Sequence, residues 1–134
     1  MLRLEATPLE LGPGAVSVVN LTGDSGLGAL SALELTIEWD PFVAEVTGIA
    51  PGPWRSGFGG DTVRFDADRV AGRVQLHFKR NGGAGLPDGV LATLAVRALV
   101  PGTTLMRVTA GTASTARGAT PAPRVAAASL TVKP

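Results

Sequence analysis

The sequence predicts an all-β fold, an antiparallel sandwich of about nine strands. Three observations predict it. Leu33-Glu34-Leu35-Thr36-Ile37-Glu38-Trp39 alternates apolar and polar residues without a break, the period of a strand with one buried and one wet face. Arg73-Val74-Gln75-Leu76-His77-Phe78-Lys79 alternates as cleanly. Eighteen glycines and ten prolines in 134 residues punctuate the chain at the spacing of short strands joined by tight turns. No stretch reads as a helix, and no internal repeat is present.

The elements follow in order. Leu2-Arg3-Leu4-Glu5-Ala6 is a first strand, interrupted at Pro8 in the manner of an edge or bulge position. Leu9-Glu10-Leu11 resumes pairing before the Gly12-Pro13-Gly14 turn, and Val16 to Leu21 is the second strand. Gly23 to Gly26 is loop, and Leu30 leads into the central strand. That strand stops at Asp40-Pro41, because proline lacks the ladder N–H and aspartate favours turns. Val43 to Ile49 is the fourth strand. Ala50 to Asp61 is a Pro/Gly loop around Trp54, Thr62 to Phe65 the fifth strand, and Asp66 to Gly72 a turn. Arg73 to Lys79 is the sixth strand, followed by the glycine-rich Arg80 to Gly85. Val90 to Leu99 is long enough for a helix, but its Val and Thr content and the flanking Asp88-Gly89 and Pro101-Gly102 turns favour a strand. Thr103 to Ala110 is the eighth strand, Gly111 to Pro123 is small and polar, and Val125 to Val132 closes the sheet.

Composition bounds the function. A hydrophobic fraction of 45% and a charged fraction of 17% suit one globular domain, residues 1–134. The formal net charge is +1 and the basic residues do not cluster, so no nucleic-acid or membrane-surface field is implied. There is no cysteine, hence no disulfide framework and no thiolate metal site. No apolar run reaches the length of a membrane span. Met1-Leu2-Arg3-Leu4 leads straight into a strand with no signal-peptide pattern. The expectation is a domain of a longer exported chain, extracytoplasmic in its setting.

The order of motifs resembles the cohesin-like family across nearly the whole chain. The motifs are Trp39-Asp40-Pro41, Gly72-Arg73-Val74, Asp88-Gly89-Val90-Leu91-Ala92-Thr93-Leu94 and Pro101-Gly102-Thr103-Thr104. The resemblance implies a nine-stranded jelly-roll sandwich. It implies either a cellulosomal module that binds calcium-loaded dockerins or a non-cellulosomal module of bacterial secretion and surface proteins. The run Phe78-Lys79-Arg80-Asn81-Gly82-Gly83 is closer to the second branch. The resemblance also implies that the strands matching Leu33–Trp39 and Arg73–Lys79 lie side by side. Those matching Thr62–Phe65 and Thr103–Ala110 would flank them, in the sheet that carries the binding face.

On that face the outward set is Glu34, Thr36 and Glu38 beside Arg73, Gln75, His77 and Lys79, with Arg64 and Arg107 or its neighbours at the flanks. Such a set is either a self-neutralising solvated face or a polar recognition surface whose charges set register and partner choice. His77 is the only histidine, so no second imidazole exists for a zinc site. Trp54 either caps the sandwich or serves as an exposed anchor or sugar-stacking platform. Asp61, Asp66 and Asp68 lack calcium-loop spacing and suit a hydrogen-bonded turn. Ser25 and Ser56 have no evident base partner. The glycine-rich stretches precede strands, so they do not form phosphate loops.

The expectation is therefore a non-catalytic protein-interaction module without cofactor or metal. Its partner would be a dockerin-like module or a secretion or surface component. A carbohydrate-binding module and an architectural spacer are the alternatives.

Overall fold

A computed structural model describes residues 2–23, 30–52, 62–68, 71–79, 89–115, 117–120 and 124–134. Among them run β1 (Leu2–Thr7), β2 (Glu10–Leu11), β3 (Val16–Gly23), β4 (Leu30–Glu38), β5 (Ala44–Pro51) and β6 (Thr62–Asp68). Then come β7 (Arg73–Lys79), β8 (Gly89–Ala98), β9 (Gly102–Thr115), β10 (Gly118–Thr120), β11 (Val125–Ala126) and β12 (Ala128–Val132). Nine of these hold five or more residues; β2, β10 and β11 are short additions. No helix occurs among the described residues.

Two sheets face each other. One has the order β11-β1-β3-β8-β5, the other β2-β12-β9-β4-β7-β6, with β10 paired to the end of β9. From β1 to β6 successive strands alternate between the sheets, the winding of a jelly roll. The central alternating segment, β4, lies between β7 and β9, and β6 flanks β7. Both neighbourhoods agree with those that the resemblance implies.

Between the sheets lies the core. Leu33, Leu35 and Ile37 of β4 and Val74, Leu76 and Phe78 of β7 are buried against Val19, Leu21, Leu94 and Val96 of the facing sheet. Phe65 of β6 meets Phe78 edge-on, ring centres 6.4 Å apart. Full burial of such a side chain contributes about 1.5–3 kcal/mol. Leu11, Val43, Ala98 and Val132 form a second cluster that plugs one end.

Four expectations need correction. The sheets are mixed rather than antiparallel, because β1 pairs β11 and β2 pairs β12 in parallel. The run Val125 to Val132 is not one strand: residues 125–126 join the five-stranded sheet and 128–132 the seven-stranded one. Pro8 marks the other crossing, between β1 in one sheet and β2 in the other. Asp66 and Asp68 are not in a turn, because alternation continues from Arg64 and β7 pairs with them as far as Arg73↔Asp68. The strand expected over Thr103 to Ala110 does not stop there: β4 residues from Leu30 to Leu35 hold Gly111 to Thr115 in register, and the chain turns back into β10.

The hairpin before β7 closes on Gly72, whose φ is +69°. The preceding residue, Ala71, donates its N–H to Asp68 Oδ1 at 3.1 Å, so the carboxylate does stabilise the turn that follows β6.

Candidate functional site

The outer face of the seven-stranded sheet presents its side chains in cross-strand rows. One row runs Arg64, His77, Glu34, Thr112 across β6, β7, β4 and β9. The next runs Asp66, Gln75, Thr36, Ala110, and the third Asp68, Arg73, Glu38, Arg107. Alternation on β6, β7 and β4, and on β9 with a bulge between Ala110 and Val108, puts these residues on one surface, while the alternate residues of β4 and β7 fill the core. Lys79 lies one step beyond the first row, opposite Ala32. All eight face residues expected from the sequence thus share one surface.

Charge alternates along the third row: Asp68, Arg73, Glu38, Arg107. Arg73 Nε lies 3.4 Å from Glu38 Oε1, with both side chains about half exposed. His77 Nδ1 lies 3.5 Å from Glu34 Oε2. Exposed cross-strand pairs of this kind contribute about 0.2–1 kcal/mol. Their larger effect is to fix the orientation of charges on the surface. Arg64, Lys79 and Arg107 have no ion-pair partner among the described residues.

Several hollows break this surface, two of them toward its ends. A cleft of about 270 Å³ lies among Ala32, Glu34, Arg64, His77 and Lys79, over the strands at Leu33, Phe78 and Ala113, whose side chains are buried in the core. An open groove of about 410 Å³ lies at the other end, between Glu38, Asp40, Ala71, Leu105 and Arg107.

The cleft also holds Thr112 and Ser114, hydroxyls near an imidazole and a carboxylate. His77 is not placed to activate either of them. Glu34 stands between His77 and Thr112 in the row, so β7 and β9 are two strand spacings, about 9.5 Å, apart. A base must reach its nucleophile within about 3 Å. Among the described residues no group of three or more His, Asp or Glu is placed to hold a metal ion.

Sequence reasoning missed Asp66 and Asp68 as members of this face, although Arg64-Phe65-Asp66-Ala67-Asp68 carries the period of two that would have placed them. Trp54, Asp61, Ser25, Ser56 and the Arg80–Gly85 stretch lie outside the described residues. Trp39 is buried, and its Nε1–H donates to the Ala44 carbonyl at 3.0 Å. The other sheet's outer face differs. Its Arg97–Glu45 and Arg3–Glu5 pairs lie toward its margins, and Val18, Asn20, Thr93 and Ala95 fill the middle.

Solved structures share this architecture. A type I cohesin–dockerin complex from Clostridium thermocellum contains a chain that superposes with a TM-score of 0.83 at 14% identity, over 98% of this chain and 92% of that one. The chain has the cohesin fold. A type II cohesin domain from the cellulosome of Acetivibrio cellulolyticus matches with a TM-score of 0.80 at 12% identity, covering 96% of this chain and 93% of its own. A non-cellulosomal cohesin from the archaeon Archaeoglobus fulgidus matches at 0.74 and 12%, covering 98% and 89%. No protein-family model matches the sequence, and no curated protein resembles it in sequence.

Proposed function

We propose that this chain is a non-catalytic protein-interaction module that recognises its partner on the outer face of β6, β7, β4 and β9. The observation that carries this reading is the face itself. Four adjacent strands align four carboxylates, four permanent cations and a histidine in fixed rows, and three of the cations lack an ion-pair partner among the described residues. A merely solvating face needs no such order. Ordered charges on a flat sheet set register and reject wrong partners.

The cohesin fold supports a protein partner, since cohesins of this fold have been solved in complex with dockerins. For this chain we favour a secretion or surface component of the non-cellulosomal kind over a calcium-loaded dockerin. The mixed charge of the face is the reason. We also propose an extracytoplasmic setting, as one module of a longer exported chain. The carbohydrate alternative rested on Trp54, and the second tryptophan, Trp39, is buried in the core.

The test is capture by the immobilised domain from envelope and secreted fractions, with and without calcium. A calcium-independent protein partner supports the full proposal. A partner that needs calcium and carries duplicated calcium loops replaces the non-cellulosomal reading with a dockerin. Binding to glycans alone contradicts the proposal.

A further inference from the structure

A strand at the margin of a sheet exposes a row of main-chain N–H and C=O groups that another chain can pair. All but one of the marginal strands described here are blunted. β2, β10 and β11 hold only two or three residues each. β5 is broken by a bulge between Val46 and Gly48 and runs out at Pro51. β6, the terminal strand beyond β7, is different. Its seven residues pair with β7 without a register shift, and it contains no proline, glycine or lysine. No described residue pairs with its outer edge.

This edge is also complementary to itself. At its centre the outward side chains are Arg64 and Asp66, both exposed and neither ion-paired among the described residues. Between them, on the inner side, Phe65 packs edge-on against Phe78 and stays partly exposed, with no described strand beyond it. A second β6 can run antiparallel alongside the first, with the two Phe65 residues opposite each other on a two-fold axis normal to the sheet. Arg64 of each copy then stands opposite Asp66 of the other. Directly opposite residues approach to about 4.5–5.5 Å between Cβ atoms, while the like charges fall on diagonals of about 7–8 Å. Sliding by two residues in either direction sets Arg64 against Arg64 or Asp66 against Asp66. Sliding by one sets outward residues of one copy against inward residues of the other. The charges therefore select one register.

We propose that this chain forms a two-fold symmetric dimer by pairing β6 with β6 of a second copy, Arg64 opposite Asp66. The contact is isologous, so it closes at two copies. It joins the two seven-stranded sheets into one continuous sheet, with roughly one new main-chain hydrogen bond per strand residue, and it covers the open side of Phe65. One strand pair is a small interface, so the dimer is weak and reversible. Because the axis is normal to the sheet, the outer faces of both copies lie next to each other and face the same way. A partner with two recognition elements meets both at once. The dimer itself stands on the edge alone and does not rest on the reading of the face.

Sedimentation of the purified chain over rising concentration tests it. The mass average is expected to climb and level at twice the chain mass. Asp66→Arg and Arg64→Asp each set like charges opposite one another, and each is expected to stay monomeric where wild type is dimeric. Mixed in equal amounts, the two variants are expected to restore a dimer, since positions 64 and 66 are then both arginine in one copy and both aspartate in the other. Both positions are exposed, and unfolding midpoints verify that each variant folds. Amide hydrogen exchange needs no variant: protection of the wild type is expected to rise with concentration in residues 62–68 and not in β5. A wild type that is monomeric throughout overturns the inference. So does a dimer that survives both variants, growth past the dimer, a variant mixture that stays monomeric, or concentration-dependent protection located elsewhere. Monomeric wild type that still captures another protein through the face leaves the proposed function standing.

Discussion

The carbonyl oxygen of Trp39 lies 2.4 Å from where a Cβ on Gly72 would sit. The same two residues are joined by a hydrogen bond, Trp39 N–H to the Gly72 carbonyl, at 3.0 Å. The end of β4 and the turn into β7 are therefore locked together at a point where only glycine fits. That lock sets the lower row of the charged face, where Glu38 and Arg73 flank the contact in sequence.

Gly72→Ala is expected to destabilise the chain by at least about 2 kcal/mol. A positive φ costs a side chain roughly 1–2 kcal/mol, and the backbone clash adds to it. Urea unfolding checks this: the midpoint falls while the slope stays constant.

Trp39→Phe removes the indole donor from the Ala44 carbonyl at a buried site. Leaving that acceptor unsatisfied is expected to cost about 1–3 kcal/mol, besides the lost packing. Thermal or chemical unfolding reads the cost. A change below about 0.5 kcal/mol, the size of an ordinary surface substitution, contradicts the role given to this bond.

Leu35→Ala, at the centre of β4 and fully buried, is expected to cost about 2–5 kcal/mol. By contrast, Thr36→Ala on the opposite side of the same strand should stay within about 0.5 kcal/mol. The contrast between adjacent positions measures how strictly β4 separates core from surface.

Much of this was legible because β4 and β7 carry large apolar residues at every second position. Leu33, Leu35, Ile37, Val74, Leu76 and Phe78 leave no ambiguity about which side is inward, and their neighbours define the face. The end of β9 was not legible. Gly111-Thr112-Ala113-Ser114-Thr115 has little contrast between its two sides, and its place is decided by pairing with β4, a tertiary effect. The parallel pairings of β2 and β11 were hidden for a related reason. Runs of two residues have no period, and they pair only because the chain crosses between sheets at Pro8 and Ala127. The cleft depends on the register of β6, β7, β4 and β9 together, and no local pattern encodes it.

Reversing charges on the face is expected to leave folding nearly intact. Glu38→Arg with Arg73→Glu keeps the pair but sets the new glutamate beside Asp68 and the new arginine beside Arg107, so a loss of about 1 kcal/mol is expected. Unfolding curves for the single and double variants check this: each of the three sets two like-charged pairs side by side in the row, so all should lie within about 1 kcal/mol of one another and below wild type.

The most direct measurement compares partner capture by three immobilised forms: wild type, Glu38→Arg/Arg73→Glu on the charged face, and Glu45→Arg/Arg97→Glu on the opposite sheet. Both double variants retain an ion pair, and unfolding curves verify that each folds. Capture lost only by the first double variant is the result expected if the face of β6, β7, β4 and β9 recognises the partner. Capture that survives that variant, or that both variants lose equally, contradicts it.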